Sequence, residues 1–314
     1  MTQEVTISVI VPIYGVEKFI GRFAESLLSQ SYQHIQFIFV NDGTKDGSMI
    51  VLRNLIEERF SHLKDRIIIV DKENEGCPKA RRTGLDHATG DYIMHADPDD
   101  WYAPDAFKTI AAAAQQMQAD LLYFDYYKEY ESKGKTKHKV EKLYDIEQKE
   151  NYIRDMYNHR ACGCVWNKAV RRSVYTDNTI YYPQTPSAED VCLMVQLVGY
   201  SKSFGHIESP LYHYRRDNPG SVSKRNPKFR RYRAVVKFLD MYEFYRDVKQ
   251  EYVPIRSISE DIVVKAGWSS IMYRFGFFKE RPYLAADIRK APICLERETP
   301  LLAQLITKIY SLFV

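Results

Sequence analysis

Two phosphate-binding signatures are missing from this 314-residue chain: no G-x-G-x-x-G follows its first apolar run, and no G-x-x-x-x-G-K occurs anywhere. Dinucleotide-binding and P-loop readings are therefore disfavoured, because no glycine-rich loop is there to cradle a phosphate. An excess of one charge is missing too. The 45 basic and 41 acidic side chains leave a net charge of +4, too little to imply nucleic acid by itself. Cysteine is sparse and odd in number, at five. Cys162-Gly163-Cys164 lacks the two-residue spacing of a zinc knuckle, and no second pair follows. All five are expected to be reduced thiols of a cytosolic protein. No uninterrupted apolar run approaches the roughly 18 residues that span a bilayer. Met1-Thr2-Gln3-Glu4 runs straight into a strand, so no signal peptide is expected. Internal repeats and low-complexity tracts are absent as well.

What remains is ordinary globular composition, 45% hydrophobic and 27% charged, in a chain long enough for one large domain or two small ones. Buried strands are predicted at 7–12, 37–40, 67–70, 92–95 and 121–124, where short β-branched or aromatic runs end at turn residues. Helices are predicted between them at 16–30, 49–60, 78–88 and 105–117, from apolar spacing such as Phe19, Ile20, Phe23, Leu27 and Leu28. Strand and helix alternate with short loops, so the fold class is α/β, with a mostly parallel sheet covered by helices on both faces. Residues 127–142 are polar and Lys-rich, a loop or hairpin; helices are expected at 146–158 and from Glu189 to Leu197, and a late strand at 211–215. Beyond about Arg225 the alternation stops and amphipathic helices follow. The expected division is 1–224 for the α/β domain and 225–314 for a helical extension.

The chain is organised around Asp91-Tyr92-Ile93-Met94-His95-Ala96-Asp97-Pro98-Asp99-Asp100-Trp101. A buried strand here ends in three carboxylates within four residues. Like charges so close raise each other's pKa, and a divalent cation removes the conflict; hard oxygen ligands suit Mg²⁺ or Mn²⁺, which in turn hold phosphate oxygens. The alternative is a solvated turn in which Asp97 or Asp100 caps the next helix. Ligands of a parallel sheet gather beyond the carboxyl ends of its strands, where Tyr14 and Asp42 also fall. A carboxylate at Asp42 can accept hydrogen bonds from a nucleobase imide and from ribose, and Tyr14 offers a flat face for a base. The alternatives are a turn former beside Gly43 and ordinary packing.

Ser8-Val9-Ile10-Val11-Pro12-Ile13-Tyr14, Val40-Asn41-Asp42-Gly43-Thr44-Lys45-Asp46-Gly47-Ser48, Asn74-Glu75-Gly76 with Ala80-Arg81, Ala88-Thr89-Gly90-Asp91-Tyr92-Ile93 and Asp97-Pro98-Asp99-Asp100 together resemble the successive motifs of family 2 glycosyltransferases of the bacterial polysaccharide type. The resemblance covers about the first 220 residues. It implies the GT-A fold and an inverting sugar transfer from a nucleotide-sugar, usually UDP-linked, with Mn²⁺ or Mg²⁺. It implies that Pro12, Tyr14, Asp42, Arg81 and Asp97 surround the donor, Tyr14 and Asp42 at the base and Arg81 near the base or diphosphate. Asp97 and Asp99 form the D-x-D motif at the metal, Asp99 as the direct ligand. Glu189-Asp190 matches the late acidic pair that supplies the base, assigned to Asp190 with Glu189 as its rival. Gly15, Asn41 and Pro98 depart from the family's usual residues, which bears on the nucleotide more than on the reaction.

An inverting transfer needs a general base for the acceptor hydroxyl and a Lewis acid on the departing diphosphate, so these positions suit the chemistry. Ser187-Ala188-Glu189-Asp190 could instead be a capping box. Trp166 could stack on a sugar or sit in the core; Lys168, Arg215 and Arg216 could face the diphosphate or be solvated. The acceptor is expected to be a glycan or a lipid-linked glycan. The run Lys224-Arg225 with Lys228 to Arg233 suits a membrane surface at least as well as nucleic acid, so peripheral association at the inner face of the membrane is expected and nucleic acid is not. The helical extension is assigned to acceptor, membrane-surface or homo-oligomer contacts. A non-catalytic sugar- or nucleotide-binding protein on the same fold is the alternative function.

Overall fold

The computed structural model describes residues 4–183, 189–218, 236, 238–241, 243–245, 262, 264–267, 283–290 and 301–311. The chain divides into two compact units: Met1–Gln148, Cys164–Pro186 and Tyr200–Pro219 form the first, and Lys149–Gly163, Ser187–Gly199 and Gly220–Val314 the second. The expected boundary at 224/225 and the basic run from Lys224 to Arg233 lie outside the described residues.

The first unit is built on a nine-stranded sheet. Its parallel half is β1 (Ile7–Ile13), β2 (Ile35–Asp42), β3 (Ile67–Lys72) and β4 (Tyr92–His95), in the order β3-β2-β1-β4. All seven residues of β1 are buried, as a strand covered on both faces requires. The connections are α1 (Glu17–Leu28), α2 (Ser48–Arg59) and α3 (Cys77–Asp86). Helix α1 buries Ile20, Phe23, Ala24, Leu27 and Leu28, the stripe read from the sequence. Helix α3 packs so closely on β1 that a Cβ at Gly84 would strike Ile10. After β4 come β5 (Trp101–Tyr102), α4 (Ala106–Met117), β6 (Leu121–Tyr130), β7 (Lys135–Lys139), β8 (Lys168–Arg171), α6 (Arg172–Thr176) and β9 (Phe204–Arg215).

This second half of the sheet is mixed. β8 lies antiparallel between β4 and β6, whereas β6 and β9 are parallel. Two features here were illegible in the sequence, and a third was read only as a loop or hairpin. β8 is only four residues long and carries a buried lysine, so it lacks an apolar run. β5 has two residues. β7 is exposed at every position, an edge strand with no core face to impose alternation. It completes the Lys-rich segment as a hairpin on β6, with Tyr126 opposite Lys139 and Tyr130 opposite Lys135.

In the second unit, α5 (Lys149–Tyr157) buries Tyr152, Ile153, Met156 and Tyr157. Helix α7 (Glu189–Tyr200) is buried from Cys192 to Gly199. Gln196 donates to the Cys192 carbonyl at 2.7 Å and accepts from the Tyr245 hydroxyl at 2.5 Å. Helices α8 (Tyr283–Lys290) and α9 (Leu301–Tyr310) follow. Among the described residues no helix is long and apolar enough to cross a membrane.

Candidate functional site

Parallel strands present their last residues on one rim, and there the loops after β1 and β2 are stitched together. Thr44 Oγ accepts from Gly15 N at 2.9 Å, Ser48 Oγ from Val16 N at 3.1 Å, and Asp46 Oδ2 from Glu17 N at 3.0 Å. Asp46 Oδ1 also accepts from Thr44 Oγ at 2.8 Å and from Ser48 N at 3.1 Å. Burial works against the Asp46 charge, but the bonds from Ser48, Thr44 and the two backbone amides win and hold its pKa below the usual carboxylate range. This stitching carries Tyr14, which stands 55% exposed at the rim. Pro12 is buried within β1, opposite Val40 of β2.

Asp42 ends β2 and is 2% exposed. Its carboxylate is tied to the β3–α3 connection: Oδ1 accepts from Lys72 Nζ at 3.2 Å and Glu75 N at 3.0 Å, Oδ2 from Gly76 N at 2.8 Å. Gly76 can turn there because its φ is 91°, open to glycine at no steric cost. Burial opposes the Lys72 charge, yet Glu75 and Asp42 more than offset it and raise its pKa. Glu75 in turn is lowered to about 2 by Lys72 and Lys79.

Beyond β4 the three carboxylates have three different environments. Asp97 Oδ1 accepts from Arg81 Nη2 at 2.8 Å, where Arg81 is a buried residue of α3. Asp99 Oδ2 accepts from Asn218 Nδ2 at 2.8 Å, and its carbonyl from Arg215 Nε at 2.9 Å. Asp100 is 2% exposed and accepts from Arg215 N at 2.7 Å. Burial, then the charges of Asp99 and Asp97, raise the Asp100 carboxyl well above its ordinary range. His95, the last residue of β4, is kept neutral by burial and by Arg81; its ring bonds the Tyr175 hydroxyl at 3.2 Å.

This donor set fits a hard divalent cation of the Mg²⁺ or Mn²⁺ kind. Such ions take one or two carboxylates and fill the remaining positions with phosphate oxygens and water. Asp99 suits the direct contact, since Asn218 takes only its Oδ2, while Asp97 is already bonded to Arg81. Among the described residues no group of three or more His, Cys, Asp or Glu is arranged to hold an ion.

Tyr14, Asp42, Arg81, Asp97 and Asp99 thus all belong to one unit. Glu189 and Asp190 open α7 in the other unit, both half-buried; Ser187 and Ala188 of the alternative capping box lie outside the described residues. Trp166 is core. It is 2% exposed, stacked on Tyr212 at 4.8 Å and 12° and edge-on to Tyr126. Its neighbour Tyr212 accepts from Asp97 N at 3.2 Å, so the tryptophan backs the ring that holds the Asp97 backbone. Lys168 is 1% exposed and donates to Asn167 at 2.5 Å, and Arg216 bonds the Tyr214 hydroxyl. Lys72 and Asn218 were missed in the sequence. Lys72 could have been found from its place two residues past the apolar part of β3, level with Asp42. A cavity of about 360 Å³ between α2 and β3, lined by Arg53, Ile56, Glu57, Lys64, Ile67 and Ile69, shares no residue with this rim.

The profile described as Glycosyl transferase family 2 matches residues 8–178, more than half of the chain. The chain is 30% identical over 213 residues to a Bacillus subtilis protein named as glycosyltransferase EpsH, covering 67% of this chain and 60% of that one. Among solved structures it resembles S. aureus TarS residues 1–349 in complex with UDP-GlcNAc, with a TM-score of 0.68 and 18% identity over 98% of this chain and 89% of that chain. It also resembles the mannosyltransferase PcManGT from Pyrobaculum calidifontis in complex with GDP-Man and Mn²⁺, with a TM-score of 0.54 and 18% identity over 100% and 82% of the two chains. At that identity the likeness is one of fold, and the fold is the GT-A arrangement expected.

Proposed function

Because the chain belongs to glycosyl transferase family 2, we propose that it moves a sugar from a nucleotide-sugar, UDP-linked, to a hydroxyl of a glycan or lipid-linked glycan, with inversion at the anomeric carbon. The observation that carries this reading is the rim of the first unit, where Asp42 ends β2 while Asp97, Asp99 and Asp100 follow β4 beside the buried Arg81. The named ligands of the fold relatives, UDP-GlcNAc in one and GDP-Man with Mn²⁺ in the other, support a nucleotide-sugar donor and a metal.

In this reading the base stacks on Tyr14 and its imide is read by Asp42. Asp97 and Asp99 hold Mn²⁺ or Mg²⁺, which supplies Lewis-acid stabilisation of the diphosphate when bound. Arg81 fixes Asp97 and adds positive potential near the diphosphate. Asp190 takes the proton of the acceptor hydroxyl as its oxygen attacks the anomeric carbon, and the bond to the nucleoside diphosphate breaks in the same displacement. The protein works in the cytoplasm, at the inner face of the membrane where the acceptor is lipid-linked.

The test is a panel of UDP-, GDP- and CDP-sugars with Mn²⁺. One UDP-sugar should raise the melting temperature and release UDP in the presence of acceptor. Binding without any transfer or hydrolysis would favour the non-catalytic alternative, and absence of binding throughout would remove the reading.

A further inference from the structure

We infer that Lys72 is a positioning residue that fixes nucleobase selectivity, by leaving Asp42 a single open acceptor site on Oδ2. The inference rests on the reading of Asp42 as the base-contacting carboxylate.

The β2–β3 register sets Lys72 directly opposite Asp42, so the ammonium reaches the carboxylate without spanning a loop. An ammonium has three hydrogens to donate. Those of Lys72 go to Asp42 Oδ1 at 3.2 Å, to the Glu73 carbonyl at 2.7 Å and to Glu75 Oε2 at 2.8 Å. The side chain is 15% exposed and that of Asp42 3%, so neither is a solvated surface charge. The lysine therefore fixes two things together, the Asp42 carboxylate and the connection leading into α3. A second ammonium, Lys79 on the first turn of α3, takes the other oxygen of Glu75 at 2.7 Å. The connection also lies hard against the turn after β2: Gly43 has φ 64°, and a Cβ there would come within 2.8 Å of Asn74 N.

The consequence is an asymmetric carboxylate. Oδ1 already receives two donors, Lys72 Nζ and Glu75 N, while Oδ2 receives only Gly76 N. With about two acceptor positions on each oxygen, the remaining one is on Oδ2. A base with a ring N–H, such as uracil, can donate there. Cytosine presents a ring nitrogen lone pair at the same position and is repelled by the carboxylate. Without Lys72 the two backbone amides still hold the carboxylate, but a second acceptor position opens on Oδ1, to which the amino group of cytosine can donate, so the discrimination between the bases narrows.

The experiment measures dissociation constants of UDP and CDP, each with Mn²⁺, for the parent, Lys72→Met, Lys72→Arg and Asp42→Ala. The parent should prefer UDP. Lys72→Met should reduce the UDP-to-CDP preference by about tenfold, the equivalent of one well-made hydrogen bond, and Lys72→Arg should recover part of it. A merely structural lysine would lower the melting temperature and leave the ratio alone. An unchanged ratio in Lys72→Met beside a collapsed one in Asp42→Ala overturns the inference but keeps the role of Asp42. No preference in the parent, or an unchanged ratio in Asp42→Ala, removes that role and the inference with it. Should Lys72→Met fail to fold, Lys72→Ser, too short to reach Oδ1, is read by the same ratio.

Discussion

Arg81 and Asp97 form an ion pair at 2.8 Å in which the arginine side chain is 4% exposed and the carboxylate 28%. The pair joins α3 to the end of β4, and it gives the two acids of the D-x-D different work. Asp97 is the counter-charge of a buried guanidinium, whereas Asp99 has no cation on its side chain among the described residues and is steadied by the amide of Asn218.

Asp97→Asn and Asp99→Asn should therefore separate. Removing the Asp97 charge takes a counter-charge away from the buried Arg81, which costs about 1–3 kcal/mol after allowing for the partial exposure of the carboxylate. Asp99→Asn should leave the melting temperature nearly unchanged and abolish the Mn²⁺-dependent part of UDP affinity. Calorimetric titration with and without metal, beside a thermal melt, reads both. Equal Mn²⁺-dependent affinity in Asp99→Asn and the parent would sink the metal assignment. Asp100→Ala should reduce that affinity less, because Asp100 faces the backbone of Arg215 inside the fold.

Asp42→Ala should weaken binding of UDP by about 1–3 kcal/mol, the scale of a hydrogen bond to a charged group. It also releases two backbone amides and Lys72, so the loss should be accompanied by faster amide hydrogen exchange at Glu75 and Gly76. Loss of turnover at unchanged UDP affinity would give Asp42 another role.

Asp46 makes a prediction about pH. Its folded pKa lies below the ordinary carboxylate value, so its contribution is complete above the unfolded value of about 4 and is lost as pH falls through the lower folded value. Asp46→Asn should thus be less stable than the parent at pH 7. The cost is about 1 kcal/mol, because the side chain is exposed and its bonds compete with water. The gap should close as both are taken toward pH 3. A gap that stays constant down to pH 3 would mean that shape, and not charge, holds the two loops together.

The parallel half of the fold was legible because each of β1, β2, β3 and β4 is an apolar run with a turn signal behind it. The rim residues were legible for the same reason: Tyr14, Asp42 and Asp97 each follow the end of a recognisable strand. What escaped is what depends on partners distant in the chain. Asn218 matters only because β9 returns it to Asp99, 119 residues away in sequence. Lys168 could face the diphosphate or be solvated on sequence grounds; it is buried because β8 runs between β4 and β6. Trp166 was ambiguous because a tryptophan on a sugar and one under a tyrosine have the same sequence; its stacking on Tyr212 decides for the core.

Asp190 carries the last prediction, and it concerns the chemical step. Asp190 sits in the first turn of α7 with Glu189 beside it. Two roles are open to a carboxylate there: it can stabilise the positive end of the helix dipole, or it can take a proton from substrate. Asp190→Asn separates them, because asparagine keeps the size of the side chain and most of its value at a helix start. If Asp190 is the base, UDP affinity and melting temperature should survive the change while turnover falls by roughly 10² or more, the usual scale for loss of a general base. If its role is confined to the helix, Asp190→Asn should cost little in rate, and Asp190→Ala should lower the melting temperature more than the activity. Glu189→Gln is the paired control, since successive residues on a helix point about 100° apart. An inactive Glu189→Gln beside an active Asp190→Asn would transfer the base to Glu189.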